Sequence, residues 1–209
     1  MLPPGLFPPV STVQRWFYIW RDNGLLRSIN HELVMLVREA EGRQSSPSAC
    51  VIDSQSVKTT ESGGPCGYNA GKKVKGRKRH ILTDTLGLMI EAVIHLADIQ
   101  DRDGGPLVLK KVRARLSFLS HVFADGGYAG AQFAGKAAET GTWTIEIIKR
   151  SDTAKGFVLL PRRWVVERTF VWLNRNRRLA KIFETSIESA TAWLFLASVQ
   201  LLARKLATY

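Results

Sequence analysis

Residues 77–97, in the middle of the chain, read RKRHILTDTLGLMIEAVIHLA. This stretch contains two runs of strand length, 77–85 and 88–97, on either side of a short turn between Asp84 and Gly87. Aliphatic runs joined by so short a turn are typical of two paired strands. We therefore predict a β-hairpin in the middle of the chain.

The segments around the hairpin alternate between the two periodicities of secondary structure. Before it, ACVIDSQSV predicts a strand over 49–57, and residues 58–76 carry five glycines, which predicts a loop without regular elements. After it we predict helices over 104–117, 130–141, 161–181 and 186–207, and strands over 121–125 and 143–150. This order predicts an α/β fold, with a mixed β-sheet flanked by helices.

The first 46 residues form a separate helical region in this interpretation. We predict helices over 12–24, with Ser11 as N-cap, and over 29–42. The aromatic residues of the first helix could stack on bases, but their spacing favours packing on the core. The predicted domains are a short N-terminal helical extension with its linker, 1–46, and a main domain, 47–209.

Composition limits the classes of function. Apolar residues make up 45% of the 209, the net charge is +12 and the pI is about 10.1, which favours a globular protein that binds a polyanion such as nucleic acid. A ribosome-bound or membrane-surface protein is the alternative. Cys50 and Cys66 show neither metal-binding spacing nor a disulfide framework. Without an apolar run of spanning length or a signal peptide, we expect no membrane partner and a cytoplasmic, nucleoid-associated location.

Two aspartates stand at the ends of predicted strands. Asp53 follows the apolar pair Val51–Ile52, and Asp125 follows 122–124 and precedes two glycines. Because the ends of adjacent strands meet at one rim of an α/β sheet, we expect these carboxylates to converge there. Each aspartate taken alone could equally cap a turn.

The third candidate is the only acid in PRRWVVERTFVWLNRNRRLAK, residues 161–181. Glu167 lies four residues after Arg163, so the simplest alternative is an ion pair on a helix surface. Its apolar neighbours instead predict a partly buried glutamate that needs a cation. Asp53, Asp125 and Glu167 together suggest catalytic ligands for two Mg²⁺ (or Mn²⁺) ions. The competing acids are Asp84, Asp98, Asp101 and Asp103, of which the last two resemble loop and helix-cap residues.

Basic residues surround these acids in the sequence. The run 72–80 is either a solvated loop or, as we prefer, a loop that binds DNA phosphates. The predicted DNA-binding residues are Lys72, Lys73, Lys75, Arg77, Lys78, Arg79, Arg163, Arg168, Arg175, Arg177 and Arg178. His80 could lie near the metals, or it could be a structural strand histidine.

Four motifs resemble those of one family. VIDSQSVKTT, GGPCGYNAGKKVKGRKRHILTDTLGL, FADGGYAG and LPRRWVVERTFVWLNRNRRLAK are similar to the DDE transposases of bacterial insertion sequences, in the insertion-sequence-four and insertion-sequence-five groups, over residues 8–207. The resemblance implies an RNase H-like fold, two divalent metals, and the cutting and joining of double-stranded DNA by a homo-oligomer. It places Asp53, Asp125 and Glu167 on the catalytic triad and Arg163 on the signature arginine.

The chain departs from the family at several positions. Leu160 and Asn174 stand where relatives carry tyrosine and lysine, and Cys66 and Asn69 stand where arginine and aspartate are expected. Arg175, Arg177 or Arg178 could take the role of that lysine. Relatives also carry further N-terminal residues, so a truncated, catalytically incompetent DNA-binding relic or a partial reading frame is the alternative expectation. A nuclease that cuts without joining is a third.

Overall fold

The computed structural model describes residues 8–61, 63–148 and 162–209. The predicted helix start at Pro161 and the departure at Leu160 lie outside the described residues. The strands are β1 Ala49–Lys58, β2 Gly67–Asn69, β3 Val74–Asp84, β4 Met89–Leu96, β5 His121–Ala124 and β6 Thr144–Ile147. The helices are α1 Val10–Asp22, α2 Leu25–Ala40, α3 Asp101–Val112, α4 Ala131–Thr140, α5 Arg163–Asn174 and α6 Ile187–Leu206. Two short 3-10 turns cover Gly126–Tyr128 and Arg177–Leu179.

The hairpin is confirmed as β3 and β4. Asp84 fixes its turn, because the Asp84 carboxylate accepts hydrogen bonds from the amides of Leu86 and Leu88 at 3.0 and 2.8 Å. Arg38 of α2 pairs with the same buried carboxylate. Gly87 adopts a φ of +86°, which a residue without a Cβ tolerates best. The competing acid Asp84 is therefore a structural residue.

The sheet is mixed, and the predicted α/β fold class is confirmed. Its main order is β4-β3-β1-β5-β6, with β2 beside the start of β3. The pairs β4–β3 and β3–β1 are antiparallel, whereas β1–β5 and β5–β6 are parallel. The central strand β1 thus joins the antiparallel hairpin to the parallel half of the sheet.

Helices cover both faces of this sheet, because apolar side chains of its strands point alternately to one face and to the other. Ile52 and Leu82 belong to one core, which also contains Val108 of α3 and Phe133 of α4. Val51 and Ile81, one residue earlier on each strand, belong to the other core. That second core is completed by α5 and α6. Successive strand residues therefore face opposite layers, as the period of two requires.

The glycine-rich segment 58–76 contains regular structure that the sequence interpretation did not predict. β1 continues to Lys58, β3 begins at Val74, and β2 pairs with β3 between them. The glycines permit this close pairing: a Cβ at Gly76 would lie 2.0 Å from the Val57 carbonyl oxygen. Prediction of a plain loop was wrong because glycines can mark close backbone approach as well as loops.

The helix predicted over 161–181 is shorter than expected. α5 ends at Asn174, and the 3-10 turn follows. The Asn176 side chain accepts a hydrogen bond from the Arg178 amide at 3.1 Å, and this local bond competes with continuation of the helix. Other predicted elements differ from the observed ones only at their ends.

The N-terminal helices also differ from the prediction. Pro9, rather than Ser11, precedes α1, which has no buried residue. Phe17 packs on Trp193 of α6 with 5.1 Å between the ring centroids, whereas Trp16, Tyr18 and Trp20 are exposed. Expected packing of these three aromatics on the core was therefore wrong. The domain boundary at residue 46 stays a prediction. Within the described residues, no helix is long and apolar enough to cross a membrane.

Candidate active site

Asp53 and Asp125 lie at matching positions on neighbouring strands. β1 and β5 run parallel, and Val51 pairs with Phe123. Asp53 and Asp125 each follow two residues later, so both project beyond the same point of the ladder. Because side chains two residues apart on a strand share a face, both carboxylates lie on the α5 side of the sheet. The predicted convergence of the strand ends is present in the structure.

The Asp53 carboxyl group has a raised pKa, because its surroundings disfavour the ionised form. Its pKa is raised to about 7, chiefly by burial and to a smaller extent by the charge of Asp125, while the Ser54 amide and the charge of Arg163 oppose the rise. The amide bond is short, with 2.6 Å between the Ser54 nitrogen and Asp53 Oδ1. An enclosed carboxylate beside a second one attracts a cation at neutral pH.

Arg163 lies between the other two acids. Its Nη2 is 3.3 Å from Glu167 Oε1 and 3.7 Å from Asp125 Oδ2. Glu167 is not partly buried as predicted: 53% of its side chain is exposed, since the buried face of α5 passes through Val166 and Phe170. The ion pair with Arg163 that was the simple alternative does exist. The same guanidinium also draws Glu167 toward Asp125.

These residues have the right chemistry for a hard divalent cation. Carboxylate oxygens are the ligands that Mg²⁺ and Mn²⁺ prefer, and the charge of Asp125 lies close enough to Asp53 to contribute to its raised pKa. In the part of the chain that the structure describes, no three such groups already stand close enough together to hold an ion. Arg163 occupies the space between Asp125 and Glu167, so it would have to move for both to bind the same cation.

The structure adds an acid that the sequence interpretation set aside. Asp101 was assigned to a loop or helix cap, but it begins α3 and accepts hydrogen bonds from Ser54 Oγ at 2.7 Å and Lys78 Nζ at 2.9 Å. Asp103, two residues later in α3, instead forms an ion pair with exposed Lys136, with 2.6 Å between Lys136 Nζ and Asp103 Oδ1. Only tertiary contacts distinguish these two aspartates, because the sequence gives both the same local pattern.

Three residues of the predicted DNA-binding set are enclosed. Arg77 donates to the carbonyl oxygens of Pro65, Thr185 and Ser186, at 2.7, 2.6 and 3.0 Å. Arg79 donates to Leu179 O at 2.9 Å, and Lys78 is held by Asp101. These side chains are buried because β3 is an interior strand with helices over both faces. We therefore leave Arg77, Lys78 and Arg79 out of the proposed DNA surface.

Two further arginines have internal partners. Arg168 lies between the rings of Trp164 and Trp172, at 4.3 and 4.4 Å from their centroids, and donates to Leu86 O at 2.8 Å. Arg178 pairs with Glu184 at 2.7 Å while remaining partly exposed. The other exposed members of the predicted set are Lys72, Lys73, Lys75, Arg175 and Arg177.

His80 and Asn174 occupy structural positions behind and beside the aspartates. His80 is fully buried, with Nδ1 3.0 Å from the Tyr128 hydroxyl. Asn174 Nδ2 lies 3.3 Å from Gln55 Oε1 on β1. Burial lowers the pKa of His80 to about 3, and the nearby charge of His95 contributes, so this ring is neutral at physiological pH.

A family model described as the transposase DDE domain matches residues 44–202. The chain belongs to this family. The domain of these transposases is RNase H-like, in agreement with the mixed sheet and its helical layers. A protein of Burkholderia cepacia described as "Putative transposase for insertion sequence element IS402" is 29% identical over 126 residues, which cover 57% of this chain and 59% of that protein.

A solved structure is also similar. It is the simian T-cell lymphotropic virus intasome in complex with PP2A regulatory subunit B56 gamma, matched at a TM-score of 0.45 and 15% identity. The match covers 71% of this chain and 48% of that one. A likeness this distant identifies neither fold nor function, so the family model and the geometry of the site carry the assignment.

Proposed function

We propose that this chain is the transposase of a bacterial insertion sequence of the insertion-sequence-four or insertion-sequence-five type, which cuts and joins DNA at a divalent metal site. One observation carries the proposal. In a chain of the transposase DDE domain family, Asp53 and Asp125 extend from adjacent parallel strands toward α5, where Arg163 holds Glu167 near Asp125.

Each acid has a defined task in this proposal. Asp53, Asp125 and Glu167 would hold Mg²⁺ or Mn²⁺, two ions in all, through carboxylate oxygens. Bound there, such ions activate an attacking oxygen and stabilise the leaving oxygen of a phosphodiester. The sheet fixes the two aspartates, while exposed Glu167 stands on a separate helix and can adjust its position. The attacking oxygen belongs to water during cutting and to a DNA 3′-hydroxyl during joining.

The proposed partner is double-stranded DNA, both the ends of the element and the target. Lys72 lies at the rim next to Asp53, where its Nζ is 3.5 Å from the Ser54 carbonyl oxygen. Together with exposed Lys73, Lys75, Arg175 and Arg177 it forms the proposed DNA surface. Such lysines and arginines bind phosphates without reading sequence. We propose that the chain works as a homo-oligomer on DNA, in the nucleoid.

The decisive experiment is metal-dependent cleavage of DNA carrying the element's own ends. We expect wild-type protein with Mg²⁺ or Mn²⁺ to nick this DNA, and Glu167→Gln to lose at least about a hundredfold in rate, since it removes a ligand charge. Glu139→Gln, which changes an exposed glutamate of α4 in the same way, is the matched control and should retain the activity.

The alternatives give different results in the same assay. Salt-sensitive DNA binding without cleavage by the wild type would support the binding-only relic and overturn the proposed enzyme. Cleavage without joining of a labelled 3′ end to a second DNA would support the nuclease. Retained nicking by Glu167→Gln would remove Glu167 from the site while leaving the family assignment intact.

A further inference from the structure

A polar network lies behind the two aspartates, on the α3 face of the sheet. Lys78 of β3 is almost fully buried, and its Nζ donates to the Ile99 carbonyl at 2.6 Å and to Asp101 Oδ1 at 2.9 Å. Ser54 Oγ donates to the same Asp101 oxygen at 2.7 Å. Two donors from two strands therefore converge on one oxygen of Asp101, which leaves the other oxygen for a different contact.

That other oxygen lies beside Gly127, in the loop that follows β5. A Cβ built on Gly127 would lie 3.1 Å from Asp101 Oδ2 and 3.0 Å from Asp125 Oδ1. Gly127 therefore lies against both carboxylates, and a side chain at this position would contact each of them. Because Gly127 also donates its amide to Asp125 Oδ1 at 2.8 Å, the loop after β5 is packed between the catalytic aspartate and Asp101.

The Lys78 side of the network is tightly enclosed, with 4% of the Lys78 side chain exposed. Gly104 of α3 packs directly on two histidines, since a Cβ there would lie 2.5 Å from His80 Nε2 and 2.4 Å from His95 Nε2. Burial works against the charge of Asp101, but the hydrogen bonds from Ser54 and Lys78 outweigh it and lower the pKa of that carboxyl. Asp101, whose side chain is 24% exposed, therefore stays ionised beside the buried ammonium of Lys78.

We propose that Asp101 is a positioning residue of the active site: anchored by Lys78, it fixes β1 behind Asp53 through Ser54 and adds a fourth carboxylate beside Asp125. This inference rests on the proposed function, because it assigns Asp101 to support of the same cation site. Residues that orient metal ligands commonly change metal affinity or rate about 10- to 100-fold when they are removed. Sequence spacing alone gives Asp101 no such role.

The primary test measures Mn²⁺ binding by calorimetry, without DNA or turnover. Asp101→Asn should weaken Mn²⁺ binding about tenfold. Asp103→Asn removes an identical charge from the same helix turn, where the partner is exposed Lys136, and should bind Mn²⁺ within about twofold of wild type. Equal affinities for Asp101→Asn and Asp103→Asn would overturn the proposal.

A second pair of variants guards against misfolding, because Asp101→Asn leaves the buried Lys78 ammonium without its charged partner. Ser54→Ala keeps the Lys78–Asp101 pair and removes its link to β1, together with the hydrogen bond between Ser54 and Tyr128. It should lower kcat for nicking of supercoiled plasmid and weaken Mn²⁺ binding, with KM for DNA unchanged, and Ser54→Thr should restore both through its hydroxyl. Wild-type behaviour of Ser54→Ala would contradict the positioning role.

Failure of the proposed function looks different. In that case the wild type itself neither binds Mn²⁺ nor nicks plasmid, and all variants are alike. If the wild type binds Mn²⁺ and nicks plasmid, and the Ser54 and Asp101 variants do so equally well, the proposed enzyme is supported and the proposed role of Asp101 is wrong.

Discussion

Lys75 and Arg77 are two residues apart on β3 and carry the same charge, but the structure uses them in opposite ways. Lys75 is exposed at the start of the strand, beside β2. Arg77 has no exposed surface and satisfies three carbonyl oxygens of the segments around Pro65 and Ser186. One basic run therefore contains both exposed side chains, which we propose bind DNA, and buried side chains that hydrogen-bond to other segments of the chain.

The difference shows why counting charges is a poor guide to a binding surface. A buried charge is kept only where hydrogen bonds replace its lost water, and removing it leaves its partners unsatisfied. An exposed lysine stays hydrated and needs no internal hydrogen-bond partner, so its ammonium group can bind a phosphate. Stability and DNA affinity should consequently separate along this run, and the following predictions test that separation.

The largest effect is expected at Arg77. Arg77→Ala should lower the free energy of unfolding by about 3–5 kcal/mol, because three carbonyl groups lose their donor and the buried arginine leaves a cavity. Lys75→Ala is the control and should stay within about 0.5 kcal/mol of wild type. Urea unfolding followed by circular dichroism measures both. Similar midpoints for the two variants would erase the distinction between buried and exposed members of the run.

Asp53 extends the comparison to an acid, because its charge is enclosed without a full complement of donors. Folding raises its pKa to about 7, from an ordinary value near 3.9 in the unfolded chain. The folded state therefore binds the proton more tightly, so metal-free stability is greatest below about pH 4 and falls as the pH rises toward about 7. This dependence is the reverse of that for a salt-bridged aspartate.

Asp53→Asn should remove this pH dependence. We expect the metal-free variant to be up to about 4 kcal/mol more stable than the wild type at pH 8 and similar to it near pH 4. Thermal unfolding in the presence of a chelator, across that pH range, measures the difference. With Mn²⁺ the order should reverse, because only the wild type binds the ion fully. A wild type that gains stability with rising pH, relative to Asp53→Asn, would contradict the raised pKa.

The sequence predicted those parts of the fold and site that depend on local pattern. The hairpin, the alternation of strands and helices, and the two strand-end aspartates follow from periodicity and from where each apolar run ends. These features could be predicted because an apolar run followed by an acid indicates a strand end wherever that strand lies in the sheet. The identity of the acids was then sharpened by the family resemblance.

Other parts depend on contacts between distant segments, which local pattern does not contain. Arg77 and Arg79 appear basic and exposed in the sequence, yet β3 is an interior strand covered by helices. Asp101 and Asp103 have the same local setting, and only the approach of Lys78 and Ser54 separates them. The exposed aromatics of α1 show the converse, since apolar spacing predicted burial that the fold does not provide.

The exposed lysines should affect DNA binding and leave stability unchanged. Replacing Lys72, Lys73 and Lys75 together by alanine should weaken binding to duplex DNA about tenfold at low salt and reduce the salt slope by about 0.9 for each phosphate that the variant no longer neutralises. The charge-matched control replaces exposed Arg43, Lys110 and Arg204 by alanine. Fluorescence anisotropy over a salt series distinguishes the two triple variants. Equal slopes would show that total charge, rather than this surface, governs binding.

The smallest effect is expected at Arg163, which combines both kinds of charge. Its guanidinium is partly buried, yet it contacts two partly exposed carboxylates, Asp125 and Glu167, rather than backbone. A cation that binds both acids must displace it.

Exposed ion pairs are worth about 0.2–1 kcal/mol, so Arg163→Gln should strengthen Mn²⁺ binding by about two- to fivefold. Neighbouring Arg162, whose guanidinium stacks on Phe123 at 4.3 Å, provides the matched variant Arg162→Gln, for which we expect no change. Weaker Mn²⁺ binding by Arg163→Gln alone would mean that the arginine orders the carboxylates for the ion instead of competing with it.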